Sequence, residues 1–488
     1  MTVQSLDNLL HLMPQNDKPA LITPENQTLT FAELHQRIGH FAGALHKKGI
    51  QPGDRVLILI PMSIELYVAL LGTLWIGATV MLVDPSAPLE KILPRFQPHA
   101  FIGSAKAHLL RLKYASLRKC KLYLSTSFTI LWHQNMHKCH DSIPPIAIPE
   151  HPALLTFTTG TTGTPKAMAR SHQFLLCQHQ ALAHHMHYEP QDVDLPTLPV
   201  FLLHSLAAGA TCILADADLK AVGSVNGSKI ISQIQQHRVT SLSASPAFFQ
   251  RLIEDCEKSA ITLDGITQIF TGGARVNAKT VQGLQQYFPY AKIHIVYGST
   301  EAEPIAVCPI HDMMDDFIDG EASGKGALVG YPVPEIQVLI QEHEIWVTGA
   351  HVNQQYYQDP QSDAQNKVCI DGVIWHRTGD AGYFDSQGRL WLLGRIGDDI
   401  NGDWPLPIEG QAEFLQFVKK AALIQWKNQG ILVVEAMQNL DDSQIAILKN
   451  LYPRLIFMKK IPVDPRHNAK INRHQLLQIL QNTPQKMY

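Results

Sequence analysis

Apolar and polar positions along the chain follow two rhythms. Residues 55–60 and 79–83 are runs of strand length, apolar after Arg55 and Thr79, and between them 63–76 is apolar almost throughout behind Ser63. That order predicts strand, helix, strand, the crossover unit of a parallel sheet. Only this stretch competes as a membrane span. Pro61, Glu65, Gly72 and Gly77 interrupt it, and its unbroken part is shorter than the roughly 20 residues a span needs. Upstream, 19–23 reads as a strand leading to Thr28-Leu-Thr-Phe-Ala-Glu-Leu34. There Thr30 and Glu33 have the spacing of a capping box that opens a helix. Further on, 171–187 reads as a helix, a strand from 239 runs into a helix started by Pro246, and 269–273 and 293–297 read as strands. Repeated alternation of strand and helix argues for an α/β architecture with mostly parallel sheets. Residues 105–150, rich in Lys, His and Ser, read as a solvated connection between subdomains.

Composition narrows the function classes. A chain of 488 residues holds roughly two to four folding units. Its 45% hydrophobic and 17% charged residues suit a globular protein, and a formal net charge of −3 makes no electrostatic case for nucleic acid. The seven cysteines are scattered, without a Cys-x-x-Cys, which fits free thiols in a reducing cytoplasm. The first residues lack a basic start followed by an apolar run, so no signal peptide is expected. His133, His137, Cys139 and His140 fit no zinc frame, and His184, His185 and His187 read as the polar side of a helix.

Four stretches carry chemistry. The first is Leu154-Leu-Thr-Phe-Thr-Thr-Gly-Thr-Thr-Gly-Thr-Pro-Lys166, a strand that turns into Thr, Gly and Lys. Gly160 and Gly163 admit close backbone approach, and the hydroxyls of Thr158, Thr159, Thr161, Thr162 and Thr164, with Lys166, suit anionic oxygens. The Gly-x-x-Gly-x-x-Lys spacing is not a Walker A loop. A flexible surface loop is the plainer alternative, and the preceding strand and following lysine count against it. The second stretch, Ile293 to Glu301, is a strand that delivers Tyr297, Gly298, Ser299, Thr300 and Glu301 to its carboxyl end, where α/β sheets bind ligands. Trp375-His-Arg-Thr-Gly-Asp380 is the third; it continues through a turn at Gly388 to Arg395, and its Asp380 can accept both hydroxyls of a ribose. In the fourth, a strand ends in Gly272-Gly273-Ala274, where missing side chains let a flat ring lie against the backbone.

Together these stretches resemble the adenylate-forming superfamily: acyl- and aryl-CoA synthetases, nonribosomal-peptide adenylation domains and beetle luciferases. The resemblance extends from Leu29-Thr-Phe-Ala-Glu-Leu34 to the terminal Pro462-Val-Asp-Pro-Arg-His-Asn-Ala-Lys470. It implies a large domain, 1–395, of mostly parallel sheets flanked by helices with a β-rich subdomain, and a small mobile α+β domain, 396–488. It also implies roles. The Thr/Gly loop and Lys166 hold the β- and γ-phosphates of ATP. Gly272, Gly273 and Ala274 form one wall of the adenine pocket, and Tyr297 stacks on the base. Thr300 reaches the α-phosphate and Glu301 holds Mg²⁺. Asp380 and Arg395 meet the ribose, and Lys470 is the adenylation lysine. Either Phe201 or His204 lines the acyl pocket; a core histidine is an equally good account of His204.

The activity so implied is activation of a carboxylic acid, a fatty acid first, as acyl-AMP, with transfer to CoA as co-substrate. The wording around Asp194-Leu-Pro-Thr-Leu-Pro199 also resembles a subgroup from bacterial olefin formation that closes a 3-hydroxy acid to a β-lactone without CoA. An inactive acyl- or nucleotide-binding relative is the alternative of another class; Glu301, Asp380 and Lys470 are all present against it. Two departures bear on the second half-reaction: Gly397 stands where the family has its hinge residue, and 403–409 replaces a more typical run. The partners expected are the acid, ATP and CoA, with no nucleic acid and no transmembrane segment; peripheral contact with a membrane stays open.

Overall fold

The computed structural model describes residues 9–83, 87–126, 134–135, 143–146, 151–159, 165–219, 221–464 and 470–482. Gly160, Thr161, Thr162, Gly163 and Thr164 lie outside the described residues, as do His133, His137, Cys139 and His140 of the rejected zinc reading. Of Thr158 and Thr159 only the backbone is described. The chain divides into two compact units: Met1–Ala215 with Thr300–Glu303 and Gly349–His376, and Asp216–Ser299 with Pro304–Thr348 and Arg377–Tyr488.

In the first unit the crossover predicted at 55–83 forms as Arg55–Leu59, Ile64–Trp75 and Thr79–Leu82. Ser63 caps the helix by accepting from the Leu66 N–H at 3.3 Å. Apart from Glu65 every residue of that helix is buried, which is why the run reads apolar all round. Gly72 lets the helix Phe31–Lys47 approach closely, since a Cβ there would lie 2.6 Å from the Phe41 ring. The Thr30–Glu33 capping box forms as predicted, with both reciprocal hydrogen bonds.

The sheet containing this crossover has seven strands, in the order Gln134–Asn135, Leu122–Ser125, Ala100–Gly103, Arg55–Leu59, Thr79–Leu82, Pro152–Thr159, Pro165–Ser171. Neighbours are parallel except the last pair, which is antiparallel with Thr159 opposite Pro165. The strands on either side of the Thr/Gly loop are therefore hydrogen-bonded partners. The reading of 105–150 as a solvated connection is corrected in its first part: Leu117, Leu122 and Leu124 are buried, and Leu122–Ser125 is a sheet strand. The strand has only four residues, and the cations Arg118, Lys119 and Lys121 just before it give the stretch its solvated look.

In the second unit Ser241–Ala244, Gln268–Gly272 and Lys292–Ser299 pair in parallel. Strands Ile336–Gln341, Glu344–Gly349, Val373–Phe384, Leu390–Arg395 and Ala327–Pro332 follow one another in a β-rich layer. Near the chain end, Val418–Trp426 runs antiparallel to Gln429–Ala436, which is parallel to Leu455–Met458. Both faces of this small sheet are covered. Ala421 and Leu423 pack with Ala412 and Leu448, whereas Ala422 and Ile424 pack with Leu476 and Leu480, the period of two that a strand imposes. The Arg275 guanidinium ties this region to the rest of its unit, 2.9 Å from Glu413 and 3.2 Å from Glu321. Burial alone would lower its pKa, but the surrounding carboxylates prevail and raise it.

Candidate functional site

Two groups of the expected residues form, one in each unit. In the first unit, Thr300 and Glu301 make the turn that follows the strand Lys292–Ser299. The backbone of 349–376 docks on this turn and on the lysine strand Pro165–Ser171. The Asn353 N–H donates to the Glu301 carbonyl at 2.8 Å, and the Tyr357 N–H donates to the Ala167 carbonyl at 2.8 Å. The Asn353 side chain donates to the Ala169 carbonyl at 3.0 Å. Three stretches far apart in sequence are so brought together around one carboxylate.

Tyr356 is the centre of the group. Its hydroxyl donates to Glu301 Oε1 at 3.0 Å. The ammoniums of Lys166 and Lys367 each lie 5.1 Å from its ring centroid, within cation–π reach. Lys367 also donates to the Asn353 carbonyl. Burial pushes the Lys367 ammonium down to about 8 against the pull of Glu301 and Asp363. The same burial would raise Glu301, but His376 in its protonated form, the Tyr356 hydroxyl, its own backbone and Lys367 together outweigh it, so its carboxyl sits below the usual range. His376 is buried, with Nδ1 3.2 Å from the Asn366 carbonyl, and is held down to about 4 by burial and by Lys367. At neutral pH the group therefore holds an ionised carboxylate, a neutral imidazole and cations.

Behind it Arg170 is buried, donating to the Thr300 carbonyl at 2.9 Å and to Thr156 Oγ1 at 3.3 Å. Burial lowers its pKa against the opposing pull of Glu303 and Glu301. Among the described residues no cluster of three or more His, Cys, Asp or Glu side chains is placed to hold a metal ion. One ionised carboxylate beside cations does not build a resident metal cage. It fits a hard divalent ion that arrives on polyphosphate oxygens and keeps several waters.

In the second unit Asp380 sits opposite Arg395 across a hairpin. Its two oxygens accept from Tyr297 Oη at 2.8 Å and from Arg395 Nη1 at 2.6 Å. Gly379, at φ +70°, makes the bend that presents it, and Thr378 Oγ1 accepts from the Asp380 N–H at 3.0 Å. Burial and the charge of Asp380 raise the Tyr297 phenol well above its ordinary value, so it stays a donor. Gly298 and Ser299 end the strand that carries Tyr297. Gly272 is glycine for a reason the sequence reading did not have: a Cβ there would collide with the Val296 carbonyl of the neighbouring strand, whereas one on Gly273 would meet nothing within 4 Å. Gly273 and Ala274 follow the end of their strand.

Lys470 is exposed and lies in a loop whose arms are pinned together: the Asp464 N–H donates to the Lys470 carbonyl at 2.8 Å, and Val463 bridges Ile471. Residues 465–469 lie outside the described residues. Phe201 and His204 are buried on the helix Pro199–Ala207. Both His204 ring nitrogens are engaged, Nδ1 with His179 Nδ1 at 3.0 Å and Nε2 with the Met186 carbonyl at 3.3 Å, and burial pulls the ring down to about 3. That is the arrangement of a core histidine.

Comparison with known proteins decides the family. The model of the AMP-binding enzyme family matches residues 12–357. The chain is an AMP-binding enzyme. Among curated relatives it is 29% identical to an olefin β-lactone synthetase of Stenotrophomonas maltophilia (strain K279a), over 92% of this chain and 90% of that one. It is 25% identical to 4-coumarate–CoA ligase 2 of Nicotiana tabacum, over 94% of this chain and 91% of the ligase. ATP-bound MatB of Rhodopseudomonas palustris shares its fold with a TM-score of 0.81 at 20% identity, covering 98% of this chain and 99% of MatB. The amide bond synthetase McbA of Marinactinospora thermotolerans also gives 0.81, at 21% identity, covering 96% and 98%.

Sequence reading of this AMP-binding enzyme missed Arg170, Tyr356, Lys367 and His376. Arg170 left a signal, since Lys166, Met168 and Arg170 alternate onto one face of a strand. Tyr356 and Lys367 left none.

Proposed function

We propose that this enzyme activates a carboxylic acid, a fatty acid by resemblance, as its acyl-adenylate. A carboxylate resists nucleophiles because it is charged and would have to expel oxide. When its oxygen attacks the α-phosphorus of ATP, a new P–O bond forms, the bond to the bridging oxygen breaks, and pyrophosphate leaves with the electron pair. Acid, triphosphate and transition state are all anionic, so the site must supply cations and donors.

The observation that carries this reading is the Glu301 group, an ionised carboxylate with Lys166 and Lys367 on the ring of Tyr356. Glu301 takes the Mg²⁺ that comes with ATP, and the Thr/Gly loop with Lys166 takes the β- and γ-phosphates. Thr300 donates toward the α-phosphate. Asp380, Arg395 and Tyr297 meet the nucleoside, with Gly272, Gly273, Ala274, Gly298 and Ser299 beside the base. Residues 396–488 act as a small moving domain that brings Lys470 to the carboxylate and the α-phosphate and withdraws it afterwards.

For the second step the relatives favour an internal acceptor. Two olefin β-lactone synthetases, 29% and 27% identical, each align with 92% of this chain. The 3-hydroxyl oxygen of the bound acyl-adenylate would attack the acyl carbon, AMP would leave with the bonding pair, and the hydroxyl proton would be lost. Transfer to CoA is the second reading, supported by the coumarate ligase relatives.

Pyrophosphate exchange with a panel of acids tests the first step, and product masses with and without CoA test the second. We expect exchange with long-chain 3-hydroxy acids and a product lighter by one water without CoA; a thioester formed only with CoA would replace the lactone reading. Lys470→Ala is expected to lower exchange on the order of 10²–10³-fold while ATP still binds. Normal exchange in that variant would remove the role given to Lys470.

A further inference from the structure

From Lys91 to His140 the sequence has nine Lys or Arg residues and no Asp or Glu, in a chain whose net charge is −3. Residues 105–121 hold six of these cations: Lys106, Arg111, Lys113, Arg118, Lys119 and Lys121. The same segment holds Leu112 and Leu109, which are 80% and 63% exposed. No other large hydrophobic side chain among the described residues is more exposed than Leu112.

The exposure of the leucines is built in. Ala105–His108 and Leu110–Lys113 are successive helical turns that follow the strand Ala100–Gly103 of the seven-stranded sheet. His108 anchors their inner side, buried with Nε2 2.8 Å from the Leu124 carbonyl and its ring 4.7 Å from that of Phe101. Ala107, Leu110 and Tyr114 pack on the core cluster containing Phe101 and Leu117. The Arg111 guanidinium lies 3.8 Å from the Tyr123 ring centroid. Leu109 and Leu112, three residues apart and joined by a 3.0 Å backbone hydrogen bond, share the opposite side. Apolar residues thus occupy outer positions that the amphipathic pattern would give to polar ones.

We propose that residues 105–121 are a docking surface for an anionic phospholipid bilayer, with Leu109 and Leu112 entering the boundary between headgroups and acyl chains. Lys106, Lys113, Arg118, Lys119 and Lys121 are exposed and make no ion pair among the described residues, so they face the headgroups. The charge pattern selects a polyanionic partner, and the two leucines select a bilayer over a nucleic acid. Nucleic-acid surfaces use aromatic platforms and base-reading polar groups, and here the rings of Tyr114 and Tyr123 already lie under Lys113 and Arg111. The proposal does not depend on which acid is activated or on the acceptor.

The test is co-sedimentation of the full chain with phosphatidylcholine vesicles, with and without phosphatidylglycerol. Binding is expected only to the mixed vesicles and should weaken as salt is raised. A Lys113→Gln/Arg118→Gln/Lys119→Gln variant should bind on the order of a hundredfold more weakly, since each cation near an anionic surface is worth roughly fivefold. Leu109→Ser/Leu112→Ser should lose about tenfold per leucine. All five positions are exposed, so both variants should keep wild-type pyrophosphate exchange with a water-soluble acid, which shows that they fold. The proposal is overturned if wild type ignores phosphatidylglycerol, if the variants bind as wild type does, or if an RNA homopolymer binds this surface more tightly than the mixed vesicles.

Discussion

Glu301 and Asp380 are both carboxylates at the end of a strand pair, and each accepts from a tyrosine hydroxyl. They are built differently. Glu301 is enclosed by side chains from three distant stretches, among them buried Arg170 and buried His376. Asp380 sits on one hairpin, with Arg395 opposite it and 56% exposed, and takes a further partner, Tyr297, from another strand. In the first case low dielectric strengthens every interaction and makes a missing partner expensive. In the second, water screens the ion pair, and the carboxylate can exchange the exposed Arg395 for a ligand hydroxyl at little loss. The enclosed group is suited to chemistry on charge, the open one to reversible recognition.

Substitutions should separate the two. Glu301→Gln keeps the shape and removes the charge, so pyrophosphate exchange should fall on the order of 10²–10³-fold with a smaller change in KM for ATP. Asp380→Ala should do the reverse, raising KM for ATP roughly tenfold, the worth of a charge-assisted hydrogen bond, with kcat nearly kept. If the two variants gave the same kinetic pattern, the division between them would be wrong. Tyr356→Phe deletes one hydrogen bond to Glu301 and leaves the ring beside both lysines; exchange should drop only about fivefold, in kcat rather than KM.

Acid lability should also follow the first unit. Burial holds His172, His179 and His376 down to about 4 and His204 to about 3. The unfolded chain protonates these rings near their ordinary value of 6.5. Between that value and about 4 the unfolded state binds more protons, so stability rises with pH and is lost as pH falls through this window. Urea midpoints measured across it should decline toward acid. In His204→Gln the decline should be shallower by roughly a quarter, one of four such rings having been removed. An unchanged slope would mean that His204 is already protonated in the folded enzyme.

The parts of the fold written in local pattern were legible. The Thr30–Glu33 box and the crossover through Ser63 follow from neighbouring residues and appear within a residue of the expected bounds. The strand Leu122–Ser125 was not, because only four residues alternate there and cations precede them. At the site, Glu301 stands just past a strand end and Asp380 follows Gly379 within its strand, each in a motif that announces it. Tyr356 and Lys367 do not, because their importance comes from the return of 349–376 onto Ala167, Ala169 and Glu301, a tertiary event without a local signature. Gly272 was legible as a required glycine but not for its cause, which is the carbonyl of Val296 on the adjacent strand.

The central claim is that the charge assembled around Glu301 serves attack on the α-phosphate. A single turnover with ATP labelled at that phosphate tests it most directly. With a long-chain 3-hydroxy acid present, label should pass into an acyl-AMP species and then into AMP, with pyrophosphate released and none of this without the acid. Label appearing in ADP, or AMP formed equally without any acid, would contradict it.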